Sequence, residues 1–435
     1  SRFIEDVRKG RDNILTTPLF DNHPNILEEW DKVFEELSAK IKLPNILIDL
    51  ELAQRLKFGP RSKAVPWPER RESLLDYFKP GERSNSIRMI EPPSMGRLRP
   101  LELQNVKPFI KRNTNSGLPF LAKKGTVIDV AIKYIGDLLG LRFPAVLFTR
   151  TQEGNKTRNV WGFPIADTIQ EMLYYRPLLD YQRKQSWRSA IVSPEAVNSG
   201  VTALMNYAKS KSLSIVSIDF SAYDASLKPY LIREGFNYIK LLYQNKYHPE
   251  IDNICERFIN IGIVTPEGIW SGEHGVPSGS TFTNEIDSLC QYLIALSYPH
   301  EKLEHFQIQG DDGLYACKDP DALMDWFISF GLNVNKDKSR VSDVDCNYLQ
   351  LLFHPDFINN SEFVGVYPVY RALLRLCYLE TFTDFTKDDL NGRDYFAIRA
   401  LSILENCKYH PYFEQLVEFV VKRDKYKLDV SDQGL

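Results

Sequence analysis

Four aspartates, Asp219, Asp224, Asp311 and Asp312, carry the chemistry that this sequence suggests most directly. Asp311 and Asp312 lie at the centre of residues 306–316, Phe-Gln-Ile-Gln-Gly-Asp-Asp-Gly-Leu-Tyr-Ala. Apolar and polar residues alternate on both sides of the Gly-Asp-Asp-Gly core, which predicts a β-hairpin turning at the acidic pair. Two carboxylates held at such a tip repel each other unless a cation lies between them. By itself the stretch reads as a solvated Asp-Gly turn, the commoner use of these residues. A second stretch changes the weighting. Residues 214–220, Ser-Ile-Val-Ser-Ile-Asp-Phe, form a β-rich run with Asp219 near its end, and Asp224 follows after Ser221, Ala222 and Tyr223. A strand ending in one carboxylate beside a hairpin tipped by two more can hold a pair of hard divalent cations. Magnesium fits, since it takes oxygen ligands and keeps waters that substrate phosphates replace. Two such ions clamp the attacking and leaving oxygens of a phosphoryl transfer.

Between these stretches, residues 271–284 form a Gly/Pro/Ser loop that runs into a helical pattern through Leu289, Tyr292, Leu293 and Leu296. The order Asp-x4-Asp, Ser-Gly-x3-Thr, Gly-Asp-Asp resembles motifs A, B and C of viral RNA-dependent RNA polymerases. The contexts 275–279, Gly-Val-Pro-Ser-Gly, and 309–313, Gln-Gly-Asp-Asp-Gly, look most like polymerases of small double-stranded RNA viruses, of the picobirnavirus and then the partitivirus type. The resemblance implies an α+β right-hand fold with helical fingers, an antiparallel palm sheet and a helical thumb. It implies RNA synthesis from nucleoside triphosphates, for replication and transcription of a viral genome. Asp219 and Asp311 would ligate two magnesium ions, with Asp312 assisting and manganese as the alternative ion. Ser278, Gly279, Thr283 and Asn284 would line the nucleotide site. Expected partners are template and product RNA, nucleoside triphosphates and a viral capsid protein, in the virion interior and the host cytoplasm, with no membrane. In many such polymerases the second motif A aspartate and an asparagine four residues after the motif B threonine read the ribose 2′ hydroxyl. Asp224 fits the first role, but the position four after Thr283 is Asp287. Asn284 is the nearest amide, and neighbouring positions on a helix diverge by ~100°, so it does not simply replace a residue at 287.

Further stretches fit the same order. Residues 150–158, Arg-Thr-Gln-Glu-Gly-Asn-Lys-Thr-Arg, follow the apolar run 145–148. Lys156 and Arg158 fall on one face of an extended strand, and with Arg150 they would clamp a triphosphate, as motif F does. The other reading is an exposed basic β-arm. Residues 111–120 are basic and turn-forming, and Ser116 and Gly117 resemble the motif G element that guides template RNA. Residues 332–339 resemble motif D, whose lysine protonates the leaving pyrophosphate. Lys338, directly before Ser339, fits this better than Lys336. Residues 347–353 resemble the motif E hairpin.

A chain of 435 residues is expected to form two or three subdomains. The resemblance divides it into an N-terminal segment bridging fingers and thumb (1–100), fingers (101–210 and 236–270), palm (211–235 and 271–355) and thumb (356–435). Net charge is −3, which neither supports nor excludes RNA, because phosphate affinity follows a local basic channel. The six cysteines are scattered without zinc spacing, as buried thiols of a reducing compartment are. No apolar run is long enough to span a bilayer, and no secretory signal is evident. The numbering opens at Ser1, so the initiator methionine is absent or removed. Residues 25–41 show helical spacing, and 57–100 is a Pro/Arg-rich connection containing Arg61 and Arg70, solvated or touching RNA. Residues 164–186 are helical with a break expected at Pro177, and 229–243 is a helix. A helix capped by Asp319 ends near Gly331, helices dominate from Pro355 onward, and the charged stretch 422–435 frays. Two alternatives stay open: a reverse transcriptase, in which an aromatic residue usually stands where this chain has Gly310, and a catalytically inactive RNA-binding palm protein.

Overall fold

In the computed structural model, which describes residues 2–382, 391–432 and 434, the alternating runs become a four-stranded antiparallel sheet. Its order is Arg340–Ser342, Ser214–Ile218, Asp312–Cys317, Phe306–Gln309. Val216, Ile218, Ile308, Tyr315 and Cys317 enter one buried cluster with the helices Pro229–Leu242, Thr283–Leu296 and Pro320–Ile328. The helix Pro194–Lys211 also lies against the strands, so residues 313–317 are buried without a break. Each fully buried aliphatic or aromatic side chain contributes ~1.5–3 kcal/mol. A one-residue slip would turn a whole row of them outward, so burial fixes the register. The signal for Pro194–Lys211 was present, since Ser193 caps it by accepting from the Ala196 amide and Pro194 opens it.

The chain divides into two units. One comprises Ser1–Lys9, Pro66–Thr149 and Asn159–Leu349; the other comprises Gly10–Val65, Arg150–Arg158 and Gln350–Leu435. A mixed sheet, most of it within the first unit, has the order Thr157–Gly162, Ala145–Thr151, Ile263–Thr265, Gly268–Trp270, and in it Ala145 pairs with Ile263 in parallel. In the second, the helices Ile26–Lys40, Val369–Cys377, Gly392–Glu405 and Phe413–Arg423 share a core around Trp30, Leu373 and Phe419. All six cysteines are buried free thiols, as their spacing suggested. No helix among the described residues is long and apolar enough to cross a membrane.

Four expectations are corrected. Pro177 does not break its helix, which runs unbroken over Ile165–Gln182. A proline leaves the carbonyl four residues back without its amide partner, and here the Leu101 amide donates to that carbonyl, on Leu173, at 2.8 Å. Arg70 is buried, not solvated: it donates to Asn159 Oδ1 (2.7 Å), Thr149 Oγ1 (2.6 Å) and the Phe148 carbonyl (3.0 Å). Arg61 is buried too, paired with Glu380 at 2.8 Å and Glu153 at 3.6 Å. The C-terminal stretch is anchored over its described part, because Leu428 joins the core and the Ser431 amide donates to Asp394, while residues 433 and 435 lie outside the described residues. A hairpin, Ile358–Asn359 with Glu362–Phe363, precedes the C-terminal helices.

The loop before Thr283 is fastened from two sides. Glu171 on the Ile165–Gln182 helix accepts from Ser280 Oγ (2.5 Å) and the Thr281 amide (3.1 Å). A Cβ on Gly279 would sit 1.7 Å from the Trp161 carbonyl oxygen. Gly279→Ala must therefore push the loop off its support. The expected cost is about 1–3 kcal/mol, seen as a lowered melting temperature. Burial pushes the Glu171 carboxyl up to about 8, against the opposing pull of Ser280 and Thr281. The folded state then holds a proton that the unfolded state releases, so this group's contribution to stability falls as pH rises from the ordinary carboxylate range to about 8. Glu171→Gln should flatten that part of the profile, measured by denaturant midpoints between about pH 5 and about pH 9.

Candidate active site

The placing of the acidic residues follows from register. Ile218 pairs with Gly313, so Asp219, the next residue, leaves its strand beside the start of the Asp312–Cys317 strand. Gln309 pairs with Asp312, leaving Gly310 and Asp311 as a two-residue turn. Asp311 is exposed at the tip, and Asp312 is half-buried at the first position of its strand. Gly310 takes φ +60°, where a side chain is strained, and Asn284 Oδ1 stands 3.1 Å from the position of the missing Cβ.

The Thr283–Leu296 helix holds this turn. Ser288 Oγ accepts from the Gly310 amide (2.8 Å), and Gln291 Nε2 donates to the Gly310 carbonyl (2.9 Å). The Tyr315 hydroxyl donates to Gln291 Oε1 at 2.8 Å. Sequence reasoning did not single out Ser288 or Gln291. The available signal was a polar stripe at 284, 288 and 291, spaced i, i+4, i+7 on a largely apolar helix. The same helix buries Glu285, paired with Arg188 at 2.6 Å, both fully enclosed. Removing one partner of such a pair strands a buried charge and costs ~3–5 kcal/mol, so this pair fixes the helix against the segment that follows Gln182.

Burial pushes the Asp312 carboxyl up to about 7, opposed by the Leu349 amide that donates to Oδ2 at 2.9 Å; the Asp311 and Asp219 charges raise it further. No three carboxylate, imidazole or thiol groups among the described residues form a ready-made metal cage. Magnesium is commonly held by one or two carboxylates together with waters and substrate phosphates. Asp219 and Asp311 suit that demand, and Asp312 braces the tip through Leu349. The Asp219 backbone is held by the 333–339 loop: its amide donates to Ser339 Oγ (2.9 Å), and its carbonyl accepts from the Asn335 amide (2.8 Å). In that loop the Lys336 ammonium lies 2.7 Å from Asp325, whose hydrogen bond raises its pKa. Lys338 is exposed and makes no ion pair among the described residues.

Asp224 lies half-exposed on the short helix Tyr223–Ser226, and its side chain is hydrogen-bonded to that of Asp287. Asp287 is buried, and the Tyr223 hydroxyl donates to its backbone carbonyl at 2.7 Å. Ser278 and Thr283 spend their hydroxyl protons on backbone carbonyls, those of Asn159 and Pro277, each at 2.9 Å. Ser116 is fully buried and accepts from the Ala122 amide. A Cβ on Gly117 would meet the Phe163 carbonyl at 2.5 Å. These two residues shape their loop, whose exposed side chains include Lys111, Arg112, Asn113 and Thr114. In the second unit, Arg150, Lys156 and Arg158 are exposed, and Glu153 between them pairs with Arg61 and Arg371.

The model of the family described as viral RNA-dependent RNA polymerase matches residues 145–419. The chain is 30% identical over 470 aligned residues to the potential RNA-dependent RNA polymerase of a human picobirnavirus, covering 99% of this chain and 86% of that protein. A shorter similarity, 29% over 143 residues, links it to the RNA-directed RNA polymerase of Cryptosporidium parvum virus 1, covering 29% of this chain and 27% of that one. Among solved structures, the RNA-dependent RNA polymerase of a human picobirnavirus superposes with a TM-score of 0.85 at 26% identity, over 100% of this chain and 88% of that one. Its insertion-loop deletion mutant gives 0.83 at 27% identity, over 98% and 90%. With motif order, hairpin register and fold all in agreement, the chain belongs to the viral RNA-dependent RNA polymerases, and it is an RNA-directed RNA polymerase with the right-hand fold.

Proposed function

We propose that this polymerase extends RNA by a two-cation mechanism, in the replication and transcription of a viral genome. The observation that carries the reading is the Ile218–Gly313 pairing, which brings Asp219 to the acidic turn. Divalent ions held by Asp219 and Asp311 would lower the pKa of the growing strand's 3′ hydroxyl and screen the charge on the transferring phosphoryl. The protein's own groups do the remaining work. Asp312 braces the turn, and the exposed Lys338 donates a proton to the leaving pyrophosphate. Asp224 accepts from the ribose 2′ hydroxyl, while Arg150, Lys156 and Arg158 offer cations suited to a triphosphate. Residues 111–114 and Lys123 form an exposed basic loop suited to template RNA. In this reading residues 101–210 and 236–270 serve as fingers, 211–235 and 271–355 as palm, and 356–435 as thumb. A capsid protein is the expected protein partner, and the virion interior and host cytoplasm the places of action. Gly310 before the paired aspartates favours RNA over DNA synthesis, and the intact acidic set argues against an inactive palm.

Asp311→Ala should abolish incorporation of labelled ribonucleotides on an RNA template while leaving RNA binding largely intact, because basic contacts supply most of the affinity. Comparable turnover by the variant with magnesium as the sole metal would refute the role. Proton transfer by a positioned side chain is worth ~10²–10⁴-fold in rate. Lys338→Ala should thus slow single-turnover chemistry by that order, with a smaller change in nucleotide affinity. Lys336→Ala, which breaks only the contact to Asp325, should not. A slow Lys336→Ala beside a normal Lys338→Ala would reverse the assignment.

A further inference from the structure

A cleft of about 580 Å³ opens beside the start of the Ala145–Thr151 strand, between the His248–Asn260 helix and the Gly268–Trp270 strand. None of the residues assigned above to metal, nucleotide or template lines it. Its lining combines three chemistries. Arg142 and Arg257 bring guanidiniums, Asn253 and Asn260 bring amides, and Pro144 with the exposed Ile269 forms an apolar wall. Gly262 leaves the floor of that wall bare, since a Cβ there would stand 3.2 Å from Ile269 Cγ2. The charges are unevenly matched. Glu256, the acid of the lining, pairs with Arg233 at 3.1 Å and also accepts from Asn260 Nδ2. Arg257 is fixed from behind: Nε donates to Asp167 Oδ1 at 3.0 Å, and Nη2 donates to the Phe143 carbonyl. Its Nη1 has no partner among the described residues. Among the same residues Arg142 makes no ion pair and the Asn253 side chain no hydrogen bond. The Arg142 charge is left unmatched, next to a guanidinium already held in place.

We propose that this cleft is a second nucleotide site: it binds a nucleoside phosphate, with phosphate oxygens on Arg142 and Arg257 and the base against Pro144 and Ile269. A guanidinium fork matches phosphate oxygens two at a time. The Asn253 and Asn260 amides each carry a donor and an acceptor, as the edges of bases do. The volume falls in the ~300–1,000 Å³ range of small-molecule sites, and a lone phosphate would leave the wall and the amides unused. Two arginines also suit an acidic peptide, but the paired amides beside a bare apolar wall favour a flat, hydrogen-bonding ring. A free nucleotide and a nucleotide of an RNA strand share this chemistry. The cleft is joined to the loop before Thr283 in two places. Arg257 holds Asp167, one turn before Glu171 on the same helix, and Glu171 fastens Ser280. His274 Nε2 meets the Ile261 carbonyl at 2.8 Å, between Asn260 and Gly262 of the lining. A molecule seated in the cleft therefore rests on the backbone that supports this loop.

The experiment measures equilibrium binding of labelled AMP to the Asp311→Ala protein without divalent metal, so that no chain extension occurs. AMP should bind and raise the melting temperature, because a ligand of the folded state stabilises it. In the same background Arg142→Ala should weaken binding by roughly 10–100-fold, the worth of a hydrogen bond to a charged group. Asn253→Ala should weaken it as well, by a smaller factor. Both side chains are exposed, so the melting temperature without AMP should not move. An azido-AMP photocrosslink should map to residues 142–144 or 253–269, a readout that needs no variant to fold. Inorganic phosphate should compete only weakly. A short single-stranded RNA that displaces AMP at lower concentration than AMP itself does makes an RNA strand the source of the ligand; one that does not makes it the free nucleotide. The proposal is overturned if AMP does not bind, if both substitutions leave binding unchanged, or if crosslinks fall only outside the cleft. Competition by phosphate or by an oligoglutamate peptide as strong as that by AMP also overturns it, since the base would then contribute nothing.

Discussion

Like charges must be kept close in this protein, and the central sheet is what keeps them there. Asp219, Asp311 and Asp312 would separate if their backbones were free, since neighbouring carboxylates repel without a cation between them. The Ser214–Ile218 and Asp312–Cys317 strands prevent this through a register set by buried side chains, not by the acids themselves. The apolar surface of Val216, Ile218, Tyr315 and Cys317 opposes the electrostatic cost at their ends. Burial, and to a lesser degree the charges of Asp311 and Asp219, push the Asp312 carboxyl up against the opposing Leu349 amide.

The Thr283–Leu296 helix connects this cluster to its surroundings. Ser288 and Gln291 hold the Gly310 turn, Glu285 meets the enclosed Arg188, and Asp287 meets Asp224. A helix burying this many polar groups is costly unless each finds a partner. That cost gives the helix a single position. A shift along its axis would unpair several groups at once, so the acidic turn and Asp224 are held by one element. The loop that leads into it is fastened by Glu171 and by the close approach of Gly279 to Trp161, and so enters the helix in one conformation.

Local pattern and order were enough to read the chemical core. The alternation around 306–316 specified a hairpin because a two-residue period and a Gly-Asp turn need only neighbours along the chain. Helical spacing likewise marked Ile26–Lys40 and Thr283–Leu296, and Asp319 marked a helix start by accepting from the Ala322 amide. What tertiary structure alone decided are pairings between residues far apart in sequence. Pro177 stays inside a helix because Leu101 satisfies the carbonyl it orphans, and Arg70 is buried because Asn159, Thr149 and Phe148 surround its guanidinium. Leu428 and Ser431 are anchored by a core and a carboxylate that their own charged stretch does not reveal. Asp287 is the clearest case: the sequence shows an acid where an amide was expected, and only the folded chain shows that it is buried against Asp224. Propensity and period act over a few residues, whereas the protonation state of a buried group depends on every charge that folding brings within reach.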